Sequence, residues 1–142
     1  MRITARGEYA IKAVLDLALH QGRALVPIQE IAARQAIPQR YLEQVLLALK
    51  RAGFLVSKRG AAGGYHLTRP PEQITVGAVL RAVEGAGGPF DARRGSRNGH
   101  ELAELWEAVA VAVAEVVDRV TFADLAARVR ERQAEARPMY HI

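Results

Sequence analysis

Four closely spaced polar side chains have the donors and acceptors that are needed to recognise the edges of base pairs. Arg40 can donate two hydrogen bonds to O6 and N7 of guanine, and Gln39 or Gln44 can pair with adenine. The carboxylate of Glu43 can accept a hydrogen bond from N4 of cytosine, although phosphate groups repel it. The other interpretation of Glu43 is an ion pair with Arg40 or Lys50, because oppositely charged side chains on neighbouring turns of a helix often pair. The sequence leaves both interpretations open.

A second group of candidate residues forms a basic segment with a glycine-rich tip. Arg59 stands at the base of this tip, from which it could enter a minor groove, since narrow A·T tracts concentrate negative potential there. Lys58 and Tyr65 would then contact phosphates. The alternative is a plain β-hairpin whose glycines only satisfy the geometry of the turn. A phosphate-binding loop of the nucleotide-binding type is disfavoured, because no Lys-Ser/Thr pair follows the glycines.

A helix over residues 38–53 must position the first group. Its apolar side chains recur at the i, i+3, i+4, i+7 spacing of a buried stripe, so its polar side chains project elsewhere. Pro38 suits the first turn, and Gly53 suits the left-handed residue that ends a helix. The residues of the stripe are Leu42, Val45, Leu46 and Leu49.

A shorter helix over residues 27–35 precedes this one, with Ile31 directed inward. Ala36 is the expected left-handed residue of the tight turn between the two helices, a position that most often holds glycine. Two helices joined by a tight turn over residues 28–51, followed by a hairpin over residues 54–68, are typical of a winged helix-turn-helix that binds DNA.

Two further helices complete a predicted DNA-binding domain over residues 1–84. Thr4 can cap a first helix that runs to about His20 and braces the helix-turn-helix. Thr75 can cap a short helix that ends near Val83. The expected fold class is therefore mainly α with a small β-hairpin wing.

The remainder of the chain is predicted to form a flexible loop over residues 85–99 and two helices over residues 100–134. The first helix, over Glu101–Val120, has a long apolar stripe, and Thr121 can cap the second. The stripe could pack against a second copy of the chain or against its own domain, and periodicity favours neither. A dimer is preferred because two recognition helices on two half-sites gain specificity. The stripe consists of Leu102, Leu105, Trp106, Val109, Val113, Val116, Val117 and Val120.

The charge of the chain is divided between two regions. Residues 1–83 hold 12 Lys+Arg against 5 Asp+Glu, a net charge of +7. Residues 84–142 hold 8 against 10, a net charge of −2. A basic region joined to a near-neutral one suits binding of a polyanion by the first and assembly by the second.

The sequence contains no cysteine, which excludes disulfides, thiolate metal sites and cysteine nucleophiles. Ser57 and Ser96 are the only serines, and the four histidines form no constellation with a carboxylate or a nucleophile, so no enzyme is expected. There is neither a signal-peptide pattern nor a run of the ~20 apolar residues that span a bilayer. A cytoplasmic protein without membrane partners is therefore expected.

Several segments have a characteristic sequence, namely Met1–Ala10, Tyr41–Gln44, Arg59-Gly60, Gly63–Tyr65 and Val83–Gly85. In these segments the chain resembles the Rrf-two family of bacterial regulators. The resemblance resumes at Leu105-Trp106 and Thr121–Leu125 and so covers most of the chain. It implies a homodimeric winged-helix transcription factor, usually a repressor, with a long C-terminal dimerisation helix.

Many members of this family sense through an iron–sulfur cluster that three cysteines hold in the loop before the long helix. Here His100 stands where the third cysteine would be, and Ala103 stands in place of a possible histidine ligand. No cluster or other cofactor is therefore expected, and the input would come from a small molecule or a protein partner. Ala61 and Ala62 also replace the Pro-Gly that is usual in the wing of the family.

Two alternatives accompany this interpretation. His100, Glu101 and Glu104 lie within one helical turn and could ligate zinc or manganese, or they could be a solvated helix start. The winged helix could also bind an acidic protein instead of double-stranded DNA. The residues predicted to contact DNA are Arg2, Thr4, Gln29, Pro38, Gln39, Arg40, Tyr41, Glu43, Gln44, Arg51, Lys58, Arg59, Gly60, Gly63, Gly64 and Tyr65.

Overall fold

The computed structural model describes residues 3–85 and 100–136. These residues form mostly α-helices, together with one two-stranded antiparallel sheet. The predicted fold class, mainly α with a small β-hairpin wing, is confirmed. The elements in chain order are α1 (Ala5–Leu19), α2 (Ile28–Gln35), α3 (Gln39–Arg51), β1 (Leu55–Lys58), β2 (Gly64–Leu67), a short 3-10 helix (Pro71–Gln73), α4 (Val76–Glu84), α5 (His100–Val117) and α6 (Phe122–Ala136).

One hydrophobic core unites α1 to α4 and the hairpin into an N-terminal module, residues 3–85. α1 lies at its centre and contacts α2, α3, α4, β2 and α6. Ala10 and Ala13 of α1 have no exposed surface, and such small side chains let neighbouring helices approach closely. Leu42 and Leu46 of α3 are buried against them. The module therefore completes most of its core from its own residues.

A tight turn at Ala36 joins α2 to α3. The residue has φ 53° and ψ 47°, the left-handed conformation that the sequence predicts for this position. Such a backbone costs an alanine roughly 1–2 kcal/mol. The hydrogen bond from Ile37 N–H to the Ala32 carbonyl, at 3.0 Å, and the burial of Ile31 and Ile37 offset this cost. The turn is therefore held by its surroundings and does not need glycine.

A buried carboxylate fixes α2 on α1. Asp16 has no exposed surface, and Arg34 donates to its two oxygens at 2.9 Å each. Gln35 donates to Oδ1 of the same carboxylate at 3.1 Å. Arg34 also donates to Glu30 at 3.2 Å, and a hydrogen bond from Arg23 lowers the pKa of the Glu30 carboxyl. Because a two-pronged guanidinium contact fixes orientation as well as distance, this network sets the angle between α1 and the helix-turn-helix.

The wing is a hairpin in which β1 and β2 pair from Leu55↔Leu67 to Lys58↔Gly64. A short bridge extends the sheet, since Val26 and Tyr65 exchange two backbone hydrogen bonds at 2.9 Å each. Gly64 makes this approach possible, because a Cβ atom there would lie 2.5 Å from the carbonyl oxygen of Val26. The wing is thereby attached to the segment that leads into α2.

α5 is the least embedded helix, and none of its residues is buried. Its predicted end at Val120 is wrong, because the helix ends at Val117. The residues after this end contact α4 instead of continuing the helix: Arg81 of α4 donates to both carboxylate oxygens of Asp118, and the Val76 N–H donates to the Val120 carbonyl at 2.9 Å. Val117 and Val120 consequently pack against the core of their own chain and leave the exposed stripe.

α6 returns the chain to the N-terminal module. It starts with a reciprocal cap, in which the Thr121 hydroxyl accepts from the Asp124 N–H and the Asp124 carboxylate accepts from the Thr121 N–H. Phe122 has no exposed surface, and its N–H donates to the Ile74 carbonyl at 3.0 Å. α6 thus anchors the end of α5 to the core.

Some predictions fall on residues outside those described. They are the DNA contact by Arg2 and the flexible loop beyond its first residue, Gly85, which caps α4. Within residues 3–85 and 100–136, no helix is long and apolar enough to cross a membrane.

Candidate nucleic-acid interface

The side of α3 that faces away from the core presents polar side chains. Gln39, Arg40, Glu43 and Gln44 are all exposed. The Arg40 guanidinium lies over the ring of Tyr41, with Cζ 4.9 Å from the ring centroid and Nη2 3.1 Å from the hydroxyl oxygen. Because a guanidinium has five N–H donors and Tyr41 accepts from one, the others stay available for a base or a phosphate.

The ion-pair interpretation of Glu43 finds no support in the structure. Glu43 has no hydrogen bond or ion pair with any described residue. Lys50, one of its two candidate partners, donates to the Ser57 hydroxyl at 2.7 Å, and Arg40, the other, contacts Tyr41. An exposed carboxylate therefore stands without a counter-charge on the outward side of α3.

A cleft of about 600 Å³ separates α3 from the wing. Glu43, Leu47 and Lys50 line it from α3, and Lys58 and Arg59 line it from the wing. Pro27, which precedes α2, and Gln29, in the first turn of α2, also line it. The cleft thus brings together candidate residues that lie 30 positions apart in the sequence.

The tip of the wing has two free cationic side chains. Lys58 and Arg59 are exposed, and neither has an ion pair within the described part of the chain. Gly60 has φ 113°, a conformation that residues with a side chain rarely adopt, and a Cβ atom on Gly63 would collide with the Lys58 carbonyl. The glycines thus satisfy the turn, and they also keep it narrow beside the two cations. Tyr65 is half-buried and lines the base of the cleft.

The remaining predicted contact residues differ in how available they are. Gln29, Pro38 and Arg51 are exposed near the same surface. Thr4 is engaged, because its hydroxyl caps α1 by accepting from the Gly7 N–H at 3.2 Å and donates to the Glu84 carboxylate. Any contact that Thr4 makes with DNA would therefore use another of its atoms or follow a rearrangement of this cap.

Leu47 belongs to this surface and was missed by sequence reasoning. Its side chain is 47% exposed, although leucines in an amphipathic helix are first assigned to the core. A signal was present, since Leu47 follows Arg40 and Gln44 at i+7 and i+3, which places the three on one side of the helix.

α5 exposes an apolar face of a different kind. Leu105 is 51% exposed, Val116 is 63% exposed and Trp106 is 37% exposed, while Val109 and Val113 are half-buried.

Two of the three candidate metal ligands, His100 and Glu104, contact each other on the first turn of α5. His100 Nε2 lies 3.1 Å from Glu104 Oε1, and both side chains are largely exposed. Within the described ranges, no group of three or more His, Cys, Asp or Glu residues could hold a metal ion.

Comparison with known proteins identifies the family. The model of the Rrf2 family, described as "Iron-dependent Transcriptional regulator", matches residues 3–128. The transcriptional regulator IscR of Sodalis glossinidius is 40% identical over 88% of this chain and 78% of its own. Because these relatives regulate transcription, the expectation that the chain is not an enzyme is confirmed.

Solved structures agree with the sequence comparison. T. potens IscR matches with a TM-score of 0.80 and 35% identity over 94% of this chain and 91% of that one. CymR, described as the global cysteine regulator of B. subtilis, matches with a TM-score of 0.73 and 33% identity over 90% of this chain and 98% of that one.

The family description mentions iron, which raises the question of whether this chain has side chains that could bind it. The sequence supplies no thiolate, and the histidine–carboxylate pair in the first turn of α5, His100 and Glu104, is largely exposed. These residues do not fit an iron–sulfur cluster held by cysteines. The chain belongs to the Rrf2 family of transcriptional regulators, as a member without cysteine.

Proposed function

We propose that this protein is a repressor that recognises a palindromic operator through α3 and the wing of two chains. α3 would lie in the major groove, with Arg40 directed to a guanine and Gln39 or Gln44 to an adenine. Arg59 would enter the adjacent minor groove, and Lys58 would contact a phosphate. The observation that supports this most directly is the cleft between α3 and the wing, which Lys58 and Arg59 line without any ion pair.

Glu43 would supply specificity in this arrangement. Its carboxylate has no hydrogen bond or ion pair with the described residues, so it is free to accept a hydrogen bond from cytosine N4. A base that offers only acceptors at the same place would repel the Glu43 carboxylate and would also exclude the water that solvates it. Glu43 therefore favours one base mainly by excluding the others.

A second copy of the chain would cover α5. The exposed side chains of the stripe range from 37% exposed at Trp106 to 63% at Val116, so completing the burial of one of them would contribute roughly 1 kcal/mol. The side chains together would contribute several kcal/mol before the cost of association is subtracted. The proposed contact face consists of Leu102, Leu105, Trp106, Val109, Val113 and Val116.

Regulation would use an input other than a cysteine-held cluster, either a small molecule or a protein partner. The protein would act in the cytoplasm, where a bacterial chromosome is accessible. Residues 1–84 would bind DNA and residues 100–134 would assemble the dimer.

The test compares two variants on DNA from upstream of the protein's own gene. Arg40→Ala should weaken binding by roughly 1–3 kcal/mol and relax the preference at one base pair. Lys58→Ala should weaken binding to all sequences alike and reduce the dependence on salt by about one charge. Arg119→Ala removes an exposed cation outside the cleft and should change neither property.

Fluorescence anisotropy at two salt concentrations would measure all three variants. Operator preference and salt dependence that stay unchanged in Arg40→Ala and Lys58→Ala would reject DNA recognition by α3 and the wing. An acidic protein partner would then be the better candidate for the cleft.

A further inference from the structure

Leu47 is an aliphatic side chain at the centre of a polar helix face. Arg40, Gln44, Leu47 and Arg51 follow one another at i, i+4, i+7 and i+11, which places them in one stripe along α3. This stripe lies opposite the buried side chains of the same helix. Leu47 is 47% exposed, whereas Leu46 beside it has no exposed surface.

The surroundings of Leu47 indicate what could cover it. It lines the cleft between α3 and the wing, together with Lys50, Lys58 and Arg59. Glu43 is the one carboxylate among the residues that line this cleft, so an apolar protein surface would have to bury at least two of the three cations without counter-charges, which is costly. A surface that suits them is a polyanion with a small apolar group at its centre.

The major groove of DNA has that composition. Phosphates flank it, and thymine places its 5-methyl group on the floor of the groove, where cytosine and the purines have none. Three residues along a helix correspond to ~4.5 Å, which is similar to the ~3.4 Å between successive base pairs. If Gln44 pairs with an adenine, Leu47 reaches a neighbouring base pair.

We propose that Leu47 contacts the 5-methyl group of one thymine in each operator half-site and is a specificity-determining residue. This assignment rests on the proposed function, since it requires that α3 enters the major groove. It adds a contact that no hydrogen-bonding side chain of α3 could make, because the methyl group offers neither a donor nor an acceptor.

The experiment removes the methyl group from the DNA and leaves the protein unchanged. An operator is first selected from random duplexes with the purified full chain, and each of its thymines is then replaced singly by uracil. At one position per half-site, uracil should weaken wild-type binding roughly fourfold. In Leu47→Ala the same uracil should have no effect, and Val56→Ala, which shortens an exposed apolar side chain outside the cleft, should behave like the wild type.

The outcomes distinguish a failure of the Leu47 proposal from a failure of the proposed function. If the wild type binds its operator but no uracil weakens it, Leu47 does not contact a thymine and the proposed function stands. If a uracil weakens the wild type and Leu47→Ala equally, another residue contacts that methyl group and the assignment to Leu47 fails. If no duplex is selected at all, both proposals fail. Circular dichroism should show that Leu47→Ala keeps its helices, because alanine favours a helix.

Discussion

The N-terminal module and α5 both contain apolar residues at helical spacing, but only the module covers them. Leu42, Leu46 and Leu49 of α3 have no exposed surface, whereas Leu105 and Val116 of α5 are more than half exposed. Identical periodicity therefore leads to burial only where the same chain supplies a facing surface. The comparison shows that α3 is covered by its own module, whereas the apolar face of α5 is left exposed within one chain.

The two regions are nevertheless joined at one end of α5. Arg81 contacts both oxygens of Asp118, and Phe122 of α6 is buried in the core of the module. A partner bound along α5 would thus hold its own α3 at a fixed distance. Half-site spacing would follow from this attachment.

The largest effect is expected from a charge placed on the exposed face of α5. Leu105→Asp would bury a carboxylate without a partner in the proposed interface, at a cost of roughly 3–5 kcal/mol. The dissociation constant of the dimer should rise about a thousandfold, as measured by sedimentation equilibrium. Gln21→Glu adds the same charge in an exposed turn and should leave the dimer intact. A Leu105→Asp protein that stays dimeric would show that α5 is not the interface.

A smaller effect, on the stability of the module, is expected from its buried carboxylate. Asp16→Asn would remove the buried charge that Arg34 contacts through two hydrogen bonds, leaving Arg34 only its exposed contact with Glu30, and should lower the free energy of unfolding by about 2–3 kcal/mol, as measured by urea denaturation. Glu8→Gln, on the same helix, breaks only an exposed pair with Lys12 and should cost below about 0.5 kcal/mol. An equal loss of unfolding free energy in the two variants would contradict the conclusion that Asp16 holds α2 on α1.

The next effect concerns recognition and should leave both stability and assembly unchanged. Glu43→Gln replaces an acceptor-only carboxylate with an amide that can also donate. Discrimination at one base pair should fall roughly tenfold, as measured by competition between operators that differ at single positions. An unchanged preference at every position would remove Glu43 from the recognition surface.

The smallest effect is a pH dependence at the joint between the two regions. The hydrogen bonds from Arg81 hold the pKa of Asp118 below its usual range. The folded pKa is depressed, so this contribution to stability is present above the unfolded pKa and is lost as the pH falls through the folded pKa. Because the side chain is 43% exposed, the contribution at neutral pH should stay below about 1 kcal/mol.

Asp118→Asn measures this contribution directly. Its free energy of unfolding should be lower than that of the wild type at pH 7 and should approach it in strong acid. A constant difference between the two proteins across the acid range would mean that the Asp118 charge is not what fixes the joint.

Local chemistry allowed most of the fold to be predicted, and contacts distant in sequence explain the failures. Ala36 could be assigned because a turn between two helices requires a left-handed residue at a definite place. The end of α5 could not, because the segment after it is held by contacts with α4, from Arg81 to Asp118 and from Val76 to Val120, which lie about 40 residues apart in the sequence. Any prediction that depends on such a partner requires the tertiary structure.

The candidate site was predicted to a similar extent. The exposure of Arg40 and Arg59 followed from helical periodicity and from the glycines of the wing. That Glu43 has no ion pair could not be predicted, because Lys50 donates instead to Ser57, a residue of the neighbouring strand β1. Leu47 was overlooked because its residue type suggests the core, while its position in the helix places it on the outward side.

The most direct test is the mass of the complex between the purified protein and its selected operator, measured by native mass spectrometry beside Leu105→Asp. If the N-terminal module recognises DNA and a second chain covers the apolar face of α5, two wild-type chains should bind one duplex. The Leu105→Asp protein should bind the duplex weakly, as single chains. One wild-type chain per duplex, or two chains of Leu105→Asp bound as tightly as the wild type, would contradict this account.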